Sequence, residues 1–414
     1  MPQTSFKKIS QAIDSQTSEA IQLMKNLVSI KALGPKNYGN GEIEKAEFLQ
    51  SYLSTIGFSG IQEFPAADPD VKGGIRPNII ARIPGKNKNK TIWIMSHLDV
   101  VPEGELSKWD SNPFEAVVRD GKIFGRGTED NNQGLVSSLI MAKVFLDEKI
   151  TPEYNLALLF VSDEETGSTF GLDFLVKNHR ELFKDDDLYI VPDAGEADGG
   201  MIEVAEKSIL WLKFKTTGVQ VHASLPGKGI NAFKAASHLV VALNGLHETF
   251  NGVNEVFDPP ISTFEPTRKE KNVININTIP GEDIFYMDCR ILPRYQLKDV
   301  LKKVKNICTN VENEFNVNIE ISVEQEEQAA PATSVDAKIV QALKKAIKDV
   351  YNINARPRGI GGGTVASIFR KAGLDVAVWS RIDDLAHQPN EYCRIDNLIN
   401  DAKVFAHVCM QTIV

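Results

Sequence analysis

Short apolar runs alternate with segments of helical spacing through the first half of the chain. Ile13, Ile21, Met24, Leu27 and Val28 recur on one helix face, so residues 12–30 are predicted helical. A second helix is predicted over 42–56, stopped by Gly57. Residues 78–83 and 91–95 are strand-like, joined by a polar turn of Gly, Lys and Asn. Residues 135–145 are nearly continuously apolar and predict a buried helix, and 155–161 and 188–191 predict buried strands. Strands alternating with helices imply an α/β fold, with a largely parallel mixed sheet flanked by helices.

The texture changes near Glu206. Residues 209–215 and 283–290 alternate apolar and polar, as half-exposed strands do, while 231–246 and 297–315 are amphipathic and helical. Residues 317–323 predict a last strand before the acidic stretch Glu324-Gln325-Glu326-Glu327. From Ala337 the α/β texture returns, with a helix, the run Gly359 to Gly363, a strand over 376–379 and a final helix from Asn397. The expected organisation is a catalytic domain of residues 1–205 and 324–414, and an inserted α+β domain of residues 206–323.

Composition narrows the function. The chain has 414 residues, with 42% hydrophobic and 24% charged content, which is that of a soluble globular protein. Its net charge, 46 − 55 = −9, disfavours nucleic acid or an anionic membrane as partner. No apolar run reaches transmembrane length, and residues 1–14 are polar without the apolar core of a signal peptide. Cys289, Cys308, Cys393 and Cys409 are scattered and read as reduced thiols of a cytoplasmic protein. Without a Cys-x-x-Cys pair, a metal site here calls for oxygen and imidazole ligands.

The polar residues at strand ends supply such ligands. Glu164 and Glu165 directly follow the run 156–161, and adjacent carboxylates there need something to offset their repulsion. His97 and Asp99 follow the strand over 91–95 and, two residues apart, face the same way. One can bind metal while the other holds its second ring nitrogen; the alternative is a surface histidine beside an aspartate. Asp130 follows Gly125-Arg126-Gly127 just before the buried helix, where an N-cap is the alternative to a ligand and, with two carboxylate oxygens, compatible with one. Asp193 ends the strand over 188–191, and His387 lies in the loop after 376–379. Ligands of open α/β sheets gather at such carboxyl ends. His179, His238, His247 and His407 fall within predicted helices and read as surface or packing residues.

In this order, His97-x-Asp99, Gly-Arg-Gly-x-x-Asp130, Glu164-Glu165, Asp193 and His387 resemble the co-catalytic zinc amidohydrolase and peptidase family. That family includes acetylornithine deacetylase, succinyl-diaminopimelate desuccinylase, aminoacylase, glutamate carboxypeptidase and several dipeptidases. The resemblance runs over almost the whole chain. It implies two divalent metal ions, zinc first, with cobalt and manganese as alternatives. His97 and Asp193 would hold one ion, Glu165 and His387 the other, and Asp130 would bridge. Glu164 would be the general base and Asp99 would orient His97. Aspartate at position 193 is often associated with aminopeptidase and aminoacylase members. In the inserted domain, His222 matches a lid histidine that binds the oxyanion, commonly across a homodimer interface. Asn277 and Arg290 match residues that hold the substrate carboxylate. Gly361, Gly362, Gly363 and Thr364 would bind a carboxylate through backbone N–H groups; a tight structural turn is the alternative, and a phosphate loop is excluded because no Lys-Ser/Thr ending follows.

The resemblance implies a hydrolase of an amide bond beside a carboxylate, most simply an N-acyl amino acid deacylase. A dipeptidase or other exopeptidase acting on short peptides is the nearest alternative. A non-catalytic binding protein on the same scaffold is the alternative from another class.

Overall fold

The computed structural model describes residues 3–413; Met1, Pro2 and Val414, including the first two positions of the polar N-terminal stretch, lie outside the described residues. The chain divides into two compact units. One comprises residues 1–204, 333–358 and 364–414, and the other comprises 205–332 and 359–363.

The larger unit is built on an eight-stranded mixed sheet. Its four central strands, in spatial order Tyr154–Val161, Asn87–His97, Leu188–Gly195 and Val376–Ser380, are mutually parallel. Ile79–Ile83, Ile61–Glu63 and Met201–Glu206 join it antiparallel, so the parallel character is confined to the centre. The apolar runs are continuous because both faces of the sheet are covered. Trp93, Ala157, Leu159, Tyr189 and Val378 cluster with Leu172, Leu175, Phe183 and Phe369. The alternating residues Ile92, Ile94, Leu156, Leu158 and Trp379 point the other way and are equally buried.

The helix Asn132–Asp147 is apolar nearly all round because it contacts the central strands as well as the helices Thr17–Ser29 and Ile395–Cys409. The single helix expected over 12–30 is two, Gln3–Asp14 and Thr17–Ser29. The apolar spacing continues across the break, so periodicity alone does not reveal it.

The smaller unit is a four-stranded antiparallel sheet in the order Thr263–Lys269, Glu282–Ile291, Ser208–Thr217, Asn318–Glu327. Leu210, Leu212, Phe214, Phe285 and Met287 form its core with Leu239 of the helix Ala232–Leu243 and Val304 of the helix Leu297–Phe315. The strand expected to stop at Val323 continues to Glu327. It is an edge strand, and charged side chains on an edge discourage pairing with other chains.

Candidate metal centre

The four parallel strands deliver polar side chains to one edge of the sheet. Asn87–His97 ends on His97. Tyr154–Val161 leads into the single turn Glu164–Thr166, and Leu188–Gly195 carries Asp193 near its end. The loop after Val376–Ser380 brings His387, and Asp130 arrives from the turn before the helix Asn132–Asp147. Gly134 lets that helix approach the Asp193 strand, since a Cβ there would lie 2.7 Å from the carbonyl oxygen of Pro192.

His97 Nε2 lies 2.9 Å from Asp130 Oδ1 and 3.4 Å from Asp193 Oδ1. His387 Nε2 lies 3.0 Å from Glu165 Oε2 and 3.3 Å from Asp130 Oδ2. Asp130 therefore turns one oxygen toward each imidazole. Ligand-type atoms of His97, Asp130 and Glu165 lie within 4.8 Å of one another, as do those of His97, Glu164 and Asp193. Six of the seven strand-end and loop residues singled out in the sequence thus meet. His97 is buried, whereas the His387 side chain is 55% exposed, which gives the centre an inner and an outer half.

Asp99 sits behind this cluster. It lies against the second ring nitrogen of His97. His97 Nδ1 lies 3.0 Å from the backbone carbonyl oxygen of Asp99 and 3.5 Å from its Oδ1. A carbonyl oxygen only accepts, so Nδ1 carries a hydrogen, which leaves Nε2 as the ring atom that would face a cation. The Asp99 carboxylate also accepts from the backbone N–H groups of Glu164 and Glu165, each at 3.0 Å. It fixes the turn that carries the acidic pair.

Residues without a sequence signal support that turn. Asp163 has a left-handed backbone (φ 65°), and its Oδ2 accepts from the Phe170 N–H at 3.1 Å. Its Oδ1 lies 3.5 Å from Arg76 Nη2. The Arg76 guanidinium also donates to Glu42, with Nε at 2.6 Å from Oε2, and to Asp68 Oδ2 at 3.3 Å. All four side chains are buried. Positions 42, 68, 76 and 163 are too scattered to read as one group.

The electrostatics of the cluster ask for cations. Burial pushes the Glu164 carboxyl well above its ordinary range, reinforced by Asp193. Burial, with Asp130 adding repulsion, raises Glu165 to about 7. Burial would raise Asp130 too, but hydrogen bonds with His387 and His97 outweigh it and hold that carboxyl low. Hydrogen bonds to Asp130 and Glu165 lift His387 to about 10. Among the described residues, Asp130, Glu164, Glu165 and Asp193 form no ion pair with lysine or arginine. Glu165 Oε1 is buried without a hydrogen-bond partner. An orphaned carboxylate oxygen among carboxylates and imidazoles, with no thiolate in the set, fits a divalent ion such as zinc, cobalt or manganese.

Residues 93–411 match peptidase family M20/M25/M40. The chain belongs to this family. A relative that resembles it strongly is an uncharacterized metallohydrolase of Methanocaldococcus jannaschii, 44% identical over 94% of this chain and 98% of the relative. The succinyl-diaminopimelate desuccinylase of Nautilia profundicola is 27% identical over 94% and 98% of the two chains. Among solved structures, human carnosine dipeptidase 1 shares the fold with a TM-score of 0.72 at 18% identity, covering 98% of each chain. The dipeptidase Dug1p of Saccharomyces cerevisiae gives the same TM-score at 19% identity, with 98% of each chain covered. The protein is accordingly an M20-type metal-dependent hydrolase of the amidohydrolase and peptidase class.

Apart from Thr364, the smaller unit carries the remaining residues singled out in the sequence, in two groups. His222 is exposed; its Nδ1 lies 2.8 Å from Ser224 Oγ, and its Nε2 is 3.4 Å from Asn277 Nδ2. Arg290 is held by Asp288, Nε to Oδ1 at 2.7 Å and Nη2 to Oδ2 at 2.9 Å, and its Nη1 donates to the Gly361 carbonyl at 2.8 Å. Gly362 and Gly363 follow in the same unit, and Thr364 begins the next segment of the larger one.

Proposed function

We propose that this protein is a two-metal amidohydrolase that removes the acyl group from N-acyl amino acids. The observation that carries the proposal is Asp130, which offers one oxygen to each imidazole while Glu164 and Glu165 flank it. Four carboxylates against two imidazoles also match the charge of two divalent ions. His97 and Asp193 would hold the inner ion, Glu165 and His387 the outer, with Asp130 between them. Bound ions of this kind supply Lewis acidity toward a carbonyl oxygen and acidity to water.

The chain's own residues would do the rest. Glu164, with its raised proton affinity, takes a proton from the attacking water and returns it to the leaving nitrogen. Asp99 keeps the base and its neighbour in place through their backbone N–H groups. His222 would donate to the developing oxyanion, supported by Asn277. Arg290 and the Gly361–Gly363 run would receive the substrate carboxylate. A Cβ at Gly361 or Gly362 would meet open space, so no internal packing requires glycine there, and close approach by a ligand gives it a reason.

Deacylation is placed first because six relatives at 23–28% identity are named succinyl-diaminopimelate desuccinylases. Peptide hydrolysis is the second reading, favoured by the dipeptidases among the structural relatives. A homodimer through the smaller unit is part of the proposal, motivated by its exposed Ile274, Ile276, Val241 and Phe233. A cytoplasmic location is proposed from four free cysteines. The test is turnover of N-acetyl and N-succinyl amino acids against a set of dipeptides, with light scattering for the oligomer. Hydrolysis of dipeptides alone overturns deacylation, and a monomer removes the basis for His222 acting across subunits.

A further inference from the structure

Two buried carboxylates outside the ligand set tie the Asp130 turn and the His387 loop to each other, in opposite directions. Glu391 belongs to the His387 loop and is fully buried. Its Oε2 accepts from Arg126 Nη1 at 2.7 Å and the Gly127 N–H at 2.9 Å. Its Oε1 accepts from the N–H groups of Glu129 at 2.9 Å and Asp130 at 3.2 Å. Glu129 belongs to the Asp130 turn and reaches back. Its carboxylate accepts from the Asp383 N–H at 2.6 Å and from the Leu385 N–H. Each loop thus supplies a carboxylate to the other loop's backbone.

The arrangement grows out of a short antiparallel ladder. Tyr392, Cys393 and Arg394 pair with Phe124, Ile123 and Lys122, and Gly125 N–H donates to the Glu391 carbonyl at 2.9 Å. Beyond this point the two segments part, toward Asp130 and His387. Irregular backbone has no ladder of its own, so its N–H groups need other acceptors. Glu129 and Glu391 supply them, and Arg126 adds a contact of 3.4 Å to the His387 carbonyl. The 3.3 Å approach of His387 Nε2 to Asp130 Oδ2 is set between these anchors.

We propose that Glu129 and Glu391 form a reciprocal clasp that fixes the distance between Asp130 and His387, and so sets the affinity of the outer metal ion. Both are positioning residues, and the inference rests on the two-metal reading above. Glutamine at 391 would turn an amide N–H₂ toward N–H donors on one side, breaking half of its contacts while keeping its volume.

The test is calorimetric titration of chelator-treated protein with cobalt(II), with bound metal measured by elemental analysis. His387→Ala marks which binding event belongs to the outer ion. Glu391→Gln and Glu129→Gln are each expected to weaken that event about 10- to 100-fold, the range for partners that orient ligands. The inner event stays within about 3-fold, and the double variant loses less than the product of the two, since both act on one distance. Unchanged outer affinity in either folded variant overturns the clasp, as does equal weakening of both events. If Glu391→Gln does not melt cooperatively, Glu129→Gln decides alone. A wild-type protein that binds fewer than two ions defeats the two-metal reading, and the clasp falls with it; two ions with insensitive variants defeats the clasp only.

Discussion

Replacing Arg76 with methionine tests whether a buried cation holds the acidic turn in place. The side chain is 1% exposed and contacts Glu42, Asp68 and Asp163, themselves buried. Methionine restores much of the volume and none of the charge. Removing one partner of a buried ion pair costs about 3–5 kcal/mol, because the other charge is left uncompensated. With three carboxylates abandoned, the upper half of that range is expected at pH 7.5. Glu42, orphaned, will hold a proton more tightly in the folded than in the unfolded state. Glu42 already has a raised pKa from burial, even with Arg76 opposing. The variant should therefore regain stability as pH falls, by up to about 1.4 kcal/mol per pH unit for each proton taken up. Urea unfolding at pH 7.5 and 5.5 measures this, with the buried Trp93 and Trp379 as fluorescent reporters in the same unit. A loss below about 1 kcal/mol, or one that ignores pH, would refute the account.

Other outcomes follow from the same geometry. Glu164→Gln should lower kcat by about 10²–10⁴-fold with metal content intact, whereas Glu165→Ala should lose metal; equal metal loss in both sinks the division of roles. Gly134→Ala places a methyl against Pro192 and should cost about 1–3 kcal/mol in thermal unfolding while weakening metal binding on the Asp193 side; unchanged melting and binding would contradict the close approach. Asp401, fully buried, has its pKa pushed from 3.8 to about 6 by burial, despite bonds from Ser380, Tyr351 and Gln133. Its folded form holds the proton more tightly, so this contribution is complete below about pH 4 and lost as pH rises through about 6, roughly 3 kcal/mol in all. Asp401→Asn should flatten that part of the stability profile, and an unaltered slope would assign it elsewhere.

The central strands were legible because burial on both faces leaves little room for polar residues, as in Leu156 to Phe160. The helix Leu297–Phe315 matches its amphipathic stripe from end to end. The strand residues Glu324 to Glu327 escaped because an edge strand tolerates charge on exposed positions. At the centre, His97, Asp130, Glu164, Glu165, Asp193 and His387 could be picked out by residue type and position. The function of Asp99 was only half legible. Its spacing from His97 pointed to a partnership, whereas nothing in the sequence showed that its carboxylate also holds the turn of Glu164 and Glu165. Arg76 and Glu391 gave no sign, since their partners lie across long sequence separations.

The order of strands in the larger sheet has a consequence for how the protein is made. Leu188–Gly195 sits between Asn87–His97 and Val376–Ser380, and 180 residues (376 − 195 − 1) separate it from the latter. During synthesis at about 5–20 residues per second, that neighbour emerges about 10–40 s later. For this interval the nascent chain carries an open strand edge, with apolar Ile190 and Val191 awaiting cover. His387 is translated later still, after more than nine-tenths of the chain. The outer half of the centre therefore cannot form on a partial chain, and a ribosome stalled before residue 376 would leave an aggregation-prone fragment without a complete metal site.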